Sequence, residues 1–121
     1  MISKKALAVI KRAQLKSGKK YTAARTVNYS IKKSVKATDL GNGFGRFVIS
    51  TTTLAPNTFR RINVFGNGFN IISGSWVFSD DQQGYMLDSY SSAEDRWFFT
   101  AWNPTNSTRS VTVTVIAKRK I

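Results

Sequence analysis

The stretch Val111-Thr112-Val113-Thr114-Val115 alternates apolar and polar residues without a break. Successive side chains of a β-strand point to opposite faces, so the valines share one face and the threonines share the other. This pattern predicts an antiparallel strand that packs one face on a core and leaves the other in water. A turn-forming cluster, Asn103-Pro104-Thr105-Asn106, precedes the strand, which predicts a hairpin over residues 97–117.

Strand-like segments separated by turn residues fill most of the remaining chain. They cover residues 27–31, 46–52, 58–65, 69–78, 85–90, 97–102 and 110–117. About seven short strands with no long helix between them predict a mainly β fold, an antiparallel β-sandwich, with a partly open barrel as the alternative. The predicted core consists of Phe47, Ile49, Phe59, Val64, Ile71, Trp76, Phe78, Leu87, Trp97, Phe99, Val111, Val113 and Val115.

The positive charge is concentrated at the N-terminal end. The chain has 19 lysines and arginines against 6 acids, a net charge of +13, and residues 1–38 contain 11 of the cations and no acid. Concentrated like charge disfavours compaction, so this segregation predicts a basic arm (1–38) that binds a polyanion, followed by a sandwich domain (39–121). The predicted nucleic-acid-binding residues are Lys4, Lys5, Lys11, Arg12, Lys16, Lys19, Lys20, Arg25, Lys32, Lys33 and Lys36.

An amphipathic helix is predicted within the arm, over residues 2–16. Its apolar arc consists of Ile2, Ala6, Val9, Ile10 and Ala13, with the cations on the opposite side. Ser3 can cap its start and Gly18 its end. An isolated helix of about 14 residues is marginal in water, so we expect it to order against nucleic acid, a neighbouring subunit or a membrane surface. Packing on its own body through Val9 and Ile10 is the alternative.

The composition excludes much of enzyme chemistry. The chain has no cysteine and no histidine, which removes disulfides, thiolate metal sites and the commonest general base. No enzymatic activity, cofactor or small-molecule substrate is therefore expected. The acids Asp80, Asp81, Asp88, Glu94 and Asp95 are more typical of a solvated turn, or of a surface that pairs with Lys118, Arg119 and Lys120 of another copy, than of a metal site. Whether Asp80 and Asp81 bind a cation stays open.

Two further motifs have less specific meanings. Arg60-Arg61 with Phe59, Phe65 and Phe69 has the composition of a platform for stacking single-stranded bases, but alternation in a half-buried strand favours Phe59 in the core. The tetrapeptide Gly-Asn-Gly-Phe occurs at residues 41–44 and 66–69. Each copy precedes an apolar run, which predicts two hairpin turns.

The layout of a basic segment before a compact sandwich resembles small virion structural proteins. Residues 1–38 and the closing Trp102-Asn103-Pro104-Thr105 and Val111–Val115 segments carry the resemblance. It implies that the antiparallel β-sandwich is jelly-roll-like, and that the chain is a capsid or capsid-associated (decoration) protein located in the virion. The sandwich would self-associate or bind other virion proteins, and the arm would contact packaged nucleic acid through its phosphates, without sequence specificity.

Two other functions remain open. A stand-alone β-barrel that binds single-stranded nucleic acid explains the charge equally well, although such proteins usually place cations on the sheet face. A membrane-active β-sandwich would use the helix as its anchor. The absence of a large aromatic residue from the helix's apolar arc argues against that role, so a membrane partner is not expected.

Overall fold

Two β-sheets packed face to face make up the fold, and one helix lies against the outside of the first sheet. The computed structural model describes residues 3–17, 21–78 and 85–120. The elements are α1 (Lys4–Ser17), β1 (Thr22–Ala23), β2 (Val27–Ser30), a 3-10 turn (Ile31–Lys33), β3 (Lys36–Gly41), β4 (Phe44–Leu54), β5 (Thr58–Phe65), β6 (Phe69–Phe78), β7 (Tyr85–Ala93), β8 (Arg96–Asn103) and β9 (Arg109–Arg119).

The first sheet runs in the order β5-β8-β7, and the short strands β1 and β2 both pair in parallel with the outer edge of β5. The second sheet has the order β3-β4-β9-β6 and is antiparallel throughout. The predicted fold class, a mainly β antiparallel sandwich preceded by a short helix, is confirmed.

The predicted hairpin over residues 97–117 is wrong, because β8 and β9 belong to different sheets. The segment between them carries the chain across the end of the sandwich. Asn103 holds this crossing in place: its buried amide donates to the carbonyl oxygens of Leu54 at 3.0 Å and Ser107 at 2.8 Å. The alternating strand therefore has the predicted buried face, but that face meets the first sheet across the core and not a hairpin partner.

The core lies between the two inner faces. Val111, Val113 and Val115 are fully buried there, together with residues such as Phe99 and Ile62. Nine predicted core residues are buried, namely Ile49, Phe59, Val64, Ile71, Phe78, Phe99, Val111, Val113 and Val115. Phe47, Leu87 and Trp97 are half-buried. Trp76 is 42% exposed, because β6 is the edge strand of its sheet and has a neighbour on one side only.

The N-terminal segment is more closely integrated than predicted. Residues 22–38 form β1, β2, the 3-10 turn and the start of β3, so the predicted boundary between residues 38 and 39 falls inside a strand. Ile31 is 1% exposed within the core. Burying Ile31 and pairing β2 with β5 outweigh the repulsion among the nearby cations, since those cations remain in water. Two described elements of the predicted arm lie outside the two sheets: the 3-10 turn, which places Ile31 in the core, and α1, which packs on the outside of the first sheet.

Candidate nucleic-acid interface

The outer face of the first sheet carries aromatic rings and arginines. On β5, Ile62 and Val64 are fully buried and face the core, so Arg61 and Phe65 point outward by alternation. The register places Arg96 of β8 beside Phe65, and Phe98 of β8 beside Tyr90 of β7. We call this part of the face the open half, and define it as Arg61, Phe65, Tyr90, Arg96 and Phe98.

Cations and rings in the open half pack against each other. The guanidinium carbon of Arg61 lies over the Phe98 ring, 4.0 Å from its centre, and that of Arg96 lies 5.2 Å from the centre of the Phe65 ring. Tyr90 meets Phe98 edge to face, with ring centres 5.7 Å apart. Such cation–π contacts hold the two guanidinium groups close to the aromatic rings. The charge of the two arginines nevertheless remains available to solvent, since Arg96 is exposed and Arg61 is half-buried. The Tyr90 ring beside them is also exposed.

Helix α1 covers the rest of the same face. Phe59 and Trp102 are 7% and 9% exposed beneath it and form a buried cluster with Ile10 and Tyr21. The rings of Tyr21 and Tyr85 meet Trp102 edge-on, with centres 5.3 Å and 5.5 Å away. We call this part the covered half, and define it as Phe59, Tyr85, Leu87 and Trp102.

Hydrogen bonds fix the helix on the sheet. The Ser3 hydroxyl donates to the Asp88 carboxylate at 2.5 Å and accepts the backbone N–H of Ala6 at 3.1 Å, so one residue both caps the helix and ties it to β7. The Gln14 amide donates to the Tyr21 carbonyl oxygen at 3.2 Å. The apolar arc consequently faces the sheet in its described residues, which are Ala6, Val9, Ile10 and Ala13. The cations with described side chains all face solvent: Lys4, Lys5, Lys11 and Arg12. Ile2 and Gly18 lie outside the described residues.

The open half and the helix together form a basic surface. Its described side chains include six cations, four on α1 and the two arginines of the open half. Helix α1 contains no acidic residue. Asp88 lies on the same face of the sheet, where the Ser3 hydroxyl occupies one of its oxygens. This arrangement suits a polyanion that also has flat, stackable groups.

The structure distributes the predicted binding residues more widely than a single arm would. Besides the four cations on α1, Arg25 follows β1, Lys32 and Lys33 lie in the 3-10 turn, and Lys36 begins β3. All four are exposed. Lys16 lies in α1, but its side chain is outside the described part of the chain, as are Lys19 and Lys20 altogether.

Sequence reasoning found only part of the open half. It identified Arg61 and Phe65 but grouped them with Phe59, which the helix buries, and with Phe69, which lies in the second sheet. It missed Arg96 and Phe98, which the pairing of β5 with β8 brings in from more than 30 residues away, and Tyr90, which the pairing of β7 with β8 places beside Phe98. The alternation in Arg96-Trp97-Phe98-Phe99, where Phe99 faces the core, could have indicated that Arg96 and Phe98 point outward.

The acidic residues that the structure describes do not come together in one cluster. Asp88 bonds to Ser3, and the Asp95 carboxylate pairs with the Lys120 ammonium at 3.3 Å within the same chain. The described residues contain no group of three side chains suited to a metal ion. Asp80 and Asp81 lie outside the described residues. In the described segments, no helix has the length and apolar character needed to cross a membrane.

Comparison with known proteins gives one match. A family model described as YjdH matches residues 25–117, from just before β2 to near the end of β9. No curated protein and no solved structure matches the chain. The matched region contains every strand of the open half, and α1 precedes it.

Proposed function

The chain belongs to the YjdH family, and we propose that it binds single-stranded nucleic acid without sequence specificity, on the outer face of the first sheet. The observation that carries this proposal is the open half itself. Three neighbouring strands place two arginines and three aromatic rings on one uncovered sheet face, beside a helix whose described cations all point to solvent.

Each component has a defined part in binding. The cations neutralise phosphates and release counterions, which gives affinity that falls with salt. Bases stack on Tyr90, which is 40% exposed, and on the outer surfaces of the guanidinium groups that lie over Phe65 and Phe98. A duplex keeps its bases stacked inside, so a flat sheet face with aromatic rings favours a single strand.

The test compares two double variants with the same loss of charge. Arg61→Ala/Arg96→Ala removes the arginines of the open half, whereas Lys36→Ala/Arg46→Ala removes two exposed cations from the outer face of the second sheet. Fluorescence anisotropy with an oligothymidine of about 12 nucleotides measures affinity at fixed salt. We expect the first variant to lose about ten-fold or more, since each stacked base contributes about 1–3 kcal/mol. The second should lose far less.

Two results would overturn the proposal. Equal losses in both variants would mean that charge alone acts and that the open half has no special part. No binding of the unaltered chain at low salt would remove the function altogether. A further variant, Tyr90→Ser, separates stacking from charge: we expect it to weaken binding without changing the slope of log K against log salt.

A virion structural role is the second candidate, because it adds self-association to the same nucleic-acid binding. The observation that favours association is β3, an edge strand whose six residues are all exposed. Such an edge offers unpaired backbone groups to another chain. Light scattering with and without nucleic acid, at several salt concentrations, tests this role, and a chain that stays monomeric throughout while binding single strands would exclude it.

A further inference from the structure

The two Gly-Asn-Gly-Phe segments form matching turns at one end of the sandwich. Asn42 and Asn67 both have positive φ, at 56° and 48°, and each is followed by a glycine with positive φ. The turns lie on either side of the end of β9, because the Gly43 carbonyl accepts the N–H of Arg119 at 2.8 Å and the Gly68 carbonyl accepts that of Lys120 at 3.0 Å. Both copies of the motif therefore hydrogen-bond to the basic end of β9.

A cleft of about 410 Å³ opens beneath the first of these turns. Phe47 and Phe69 form an aromatic wall, with ring centres 5.2 Å apart, and the guanidinium carbon of Arg119 lies 5.9 Å from the centre of the Phe69 ring. The backbone at Gly45 lines the cleft without a side chain: a Cβ there would come within 2.8 Å of the Phe47 ring. The two ring planes meet at 71°, edge to face, so the cleft combines the face of one aromatic ring with a cation.

Asp39 supplies the hydrogen-bonding group of the cleft. Its Oδ1 accepts the backbone N–H of Gly41 at 2.8 Å, which holds the carboxylate in place. Within the described residues no donor is bonded to its Oδ2. A carboxylate accepts several hydrogen bonds and donates none, so it selects ligand groups that present N–H or O–H donors.

We propose that this cleft binds a guanine base of the nucleic-acid strand, an inference that rests on the proposed function. The base would stack on the face of one of the two phenylalanine rings and meet the other edge-on, and its adjacent N1–H and N2–H₂ donors would face Asp39. Of the four common bases, guanine alone presents two such neighbouring donors on one edge. Arg119 would take the attached phosphate.

The cleft is close to the open half along the chain. Phe65 of the open half and Phe69 of the cleft lie at the two ends of the same turn, residues 66–68. The turn's Gly66 N–H donates to the Asp95 carbonyl oxygen at 2.7 Å, which connects it to the segment that precedes Arg96. A strand that crosses the open half therefore has a route toward the cleft.

The experiment uses Asp39→Asn in the full chain. Asparagine keeps an oxygen for the Gly41 amide but replaces Oδ2 with a donor, so the turn should persist. Asp95→Asn is the control, a half-buried acid at the same end that pairs with Lys120 and undergoes the same change in charge. We expect the unaltered chain to bind an oligonucleotide with one central guanine about ten-fold more tightly than oligothymidine, the range for hydrogen bonds to a charged group. Asp39→Asn should abolish this preference, and Asp95→Asn should keep it.

Guanosine 5′-monophosphate separates failure of the cleft from failure of the proposed function. NMR titration should shift the amide signals of Gly43 and Phe47 in the unaltered chain and leave them unmoved in Asp39→Asn. Absence of shifts in the unaltered chain, together with equal affinity for both oligonucleotides, overturns the guanine site but leaves the nucleic-acid function in place. Shifts with the nucleotide but no binding of either oligonucleotide would support the site and overturn the proposed function.

Discussion

The open and covered halves of the first sheet differ in use although they lie on the same strands. Phe59 and Phe65 both project from the outer face of β5, yet Phe59 is 7% exposed under α1 whereas Phe65 lies half-buried beside Arg96. On β8 the same holds for Trp102 and Phe98. Strand alternation therefore decides which face an aromatic residue occupies. Whether that residue stabilises the fold or stays available for binding depends on the helix.

The helix explains why the basic segment is not a free arm. An isolated amphipathic helix needs a partner, and the covered half provides one within the same chain through Ile10 and Ala6, which are 2% and 0% exposed. The cations on its opposite side then extend the basic surface of the open half. Docking of α1 thus both completes the packing of the sheet and positions charge.

The largest expected effect is on folding, and it distinguishes the helix from the first strands of the N-terminal segment. Deleting residues 1–38 removes β1, β2 and the buried Ile31, so we expect loss of cooperative folding. Deleting residues 1–17 removes only the helix, and we expect the β-sheet circular-dichroism signal and a cooperative melt at lower temperature. A chain without residues 1–38 that melts cooperatively would show that the sandwich is independent of its first strands.

The next largest effect is on the free energy of unfolding, compared between the covered and open halves at two positions of β5. Phe59→Ala empties a site buried under the helix, and we expect a cost of about 3–5 kcal/mol in the free energy of unfolding. Phe65→Ala removes a half-buried ring on the same face, and the expected cost is below about 1 kcal/mol. Urea denaturation measures both. Similar costs for the two variants would mean that the helix does not distinguish the halves.

Sequence reasoning identified the sandwich, the helix and most of the core, because alternation and amphipathicity are local patterns. The buried valines of β9 and the helix that begins near Ser3 follow from those patterns alone. It placed β9 in a hairpin with β8, since turn residues separate them and the crossing between sheets depends on Asn103. Trp76 was misassigned for a related reason, because an edge position is a property of strand order and not of local sequence.

The candidate site was predicted in composition but not in place. Charge counting found the cations of α1 and noticed Arg61 beside Phe65. The partners of those two residues, Phe98 and Arg96, lie on β8, and no local pattern specifies that register. The boundary at residue 38 was drawn from charge alone. Lys32 and Lys33 are exposed, but they directly follow the buried Ile31, so the charged segment continues into the fold without a break.

The smallest expected effect concerns the helix's share of binding. Replacing Lys4, Lys5, Lys11 and Arg12 with glutamine removes four exposed cations and leaves Ile10 and Ser3 in place. Each phosphate contact on a single strand contributes about 0.7 to the slope of log K against log salt, so full engagement of all four predicts a slope smaller by about 2.8 and partial engagement predicts less. Anisotropy titrations at several salt concentrations measure the slope, and circular dichroism checks that the helix remains. If the slope is unchanged while the Arg61→Ala/Arg96→Ala variant loses affinity, the covered half serves packing alone, and the binding surface ends where the helix begins.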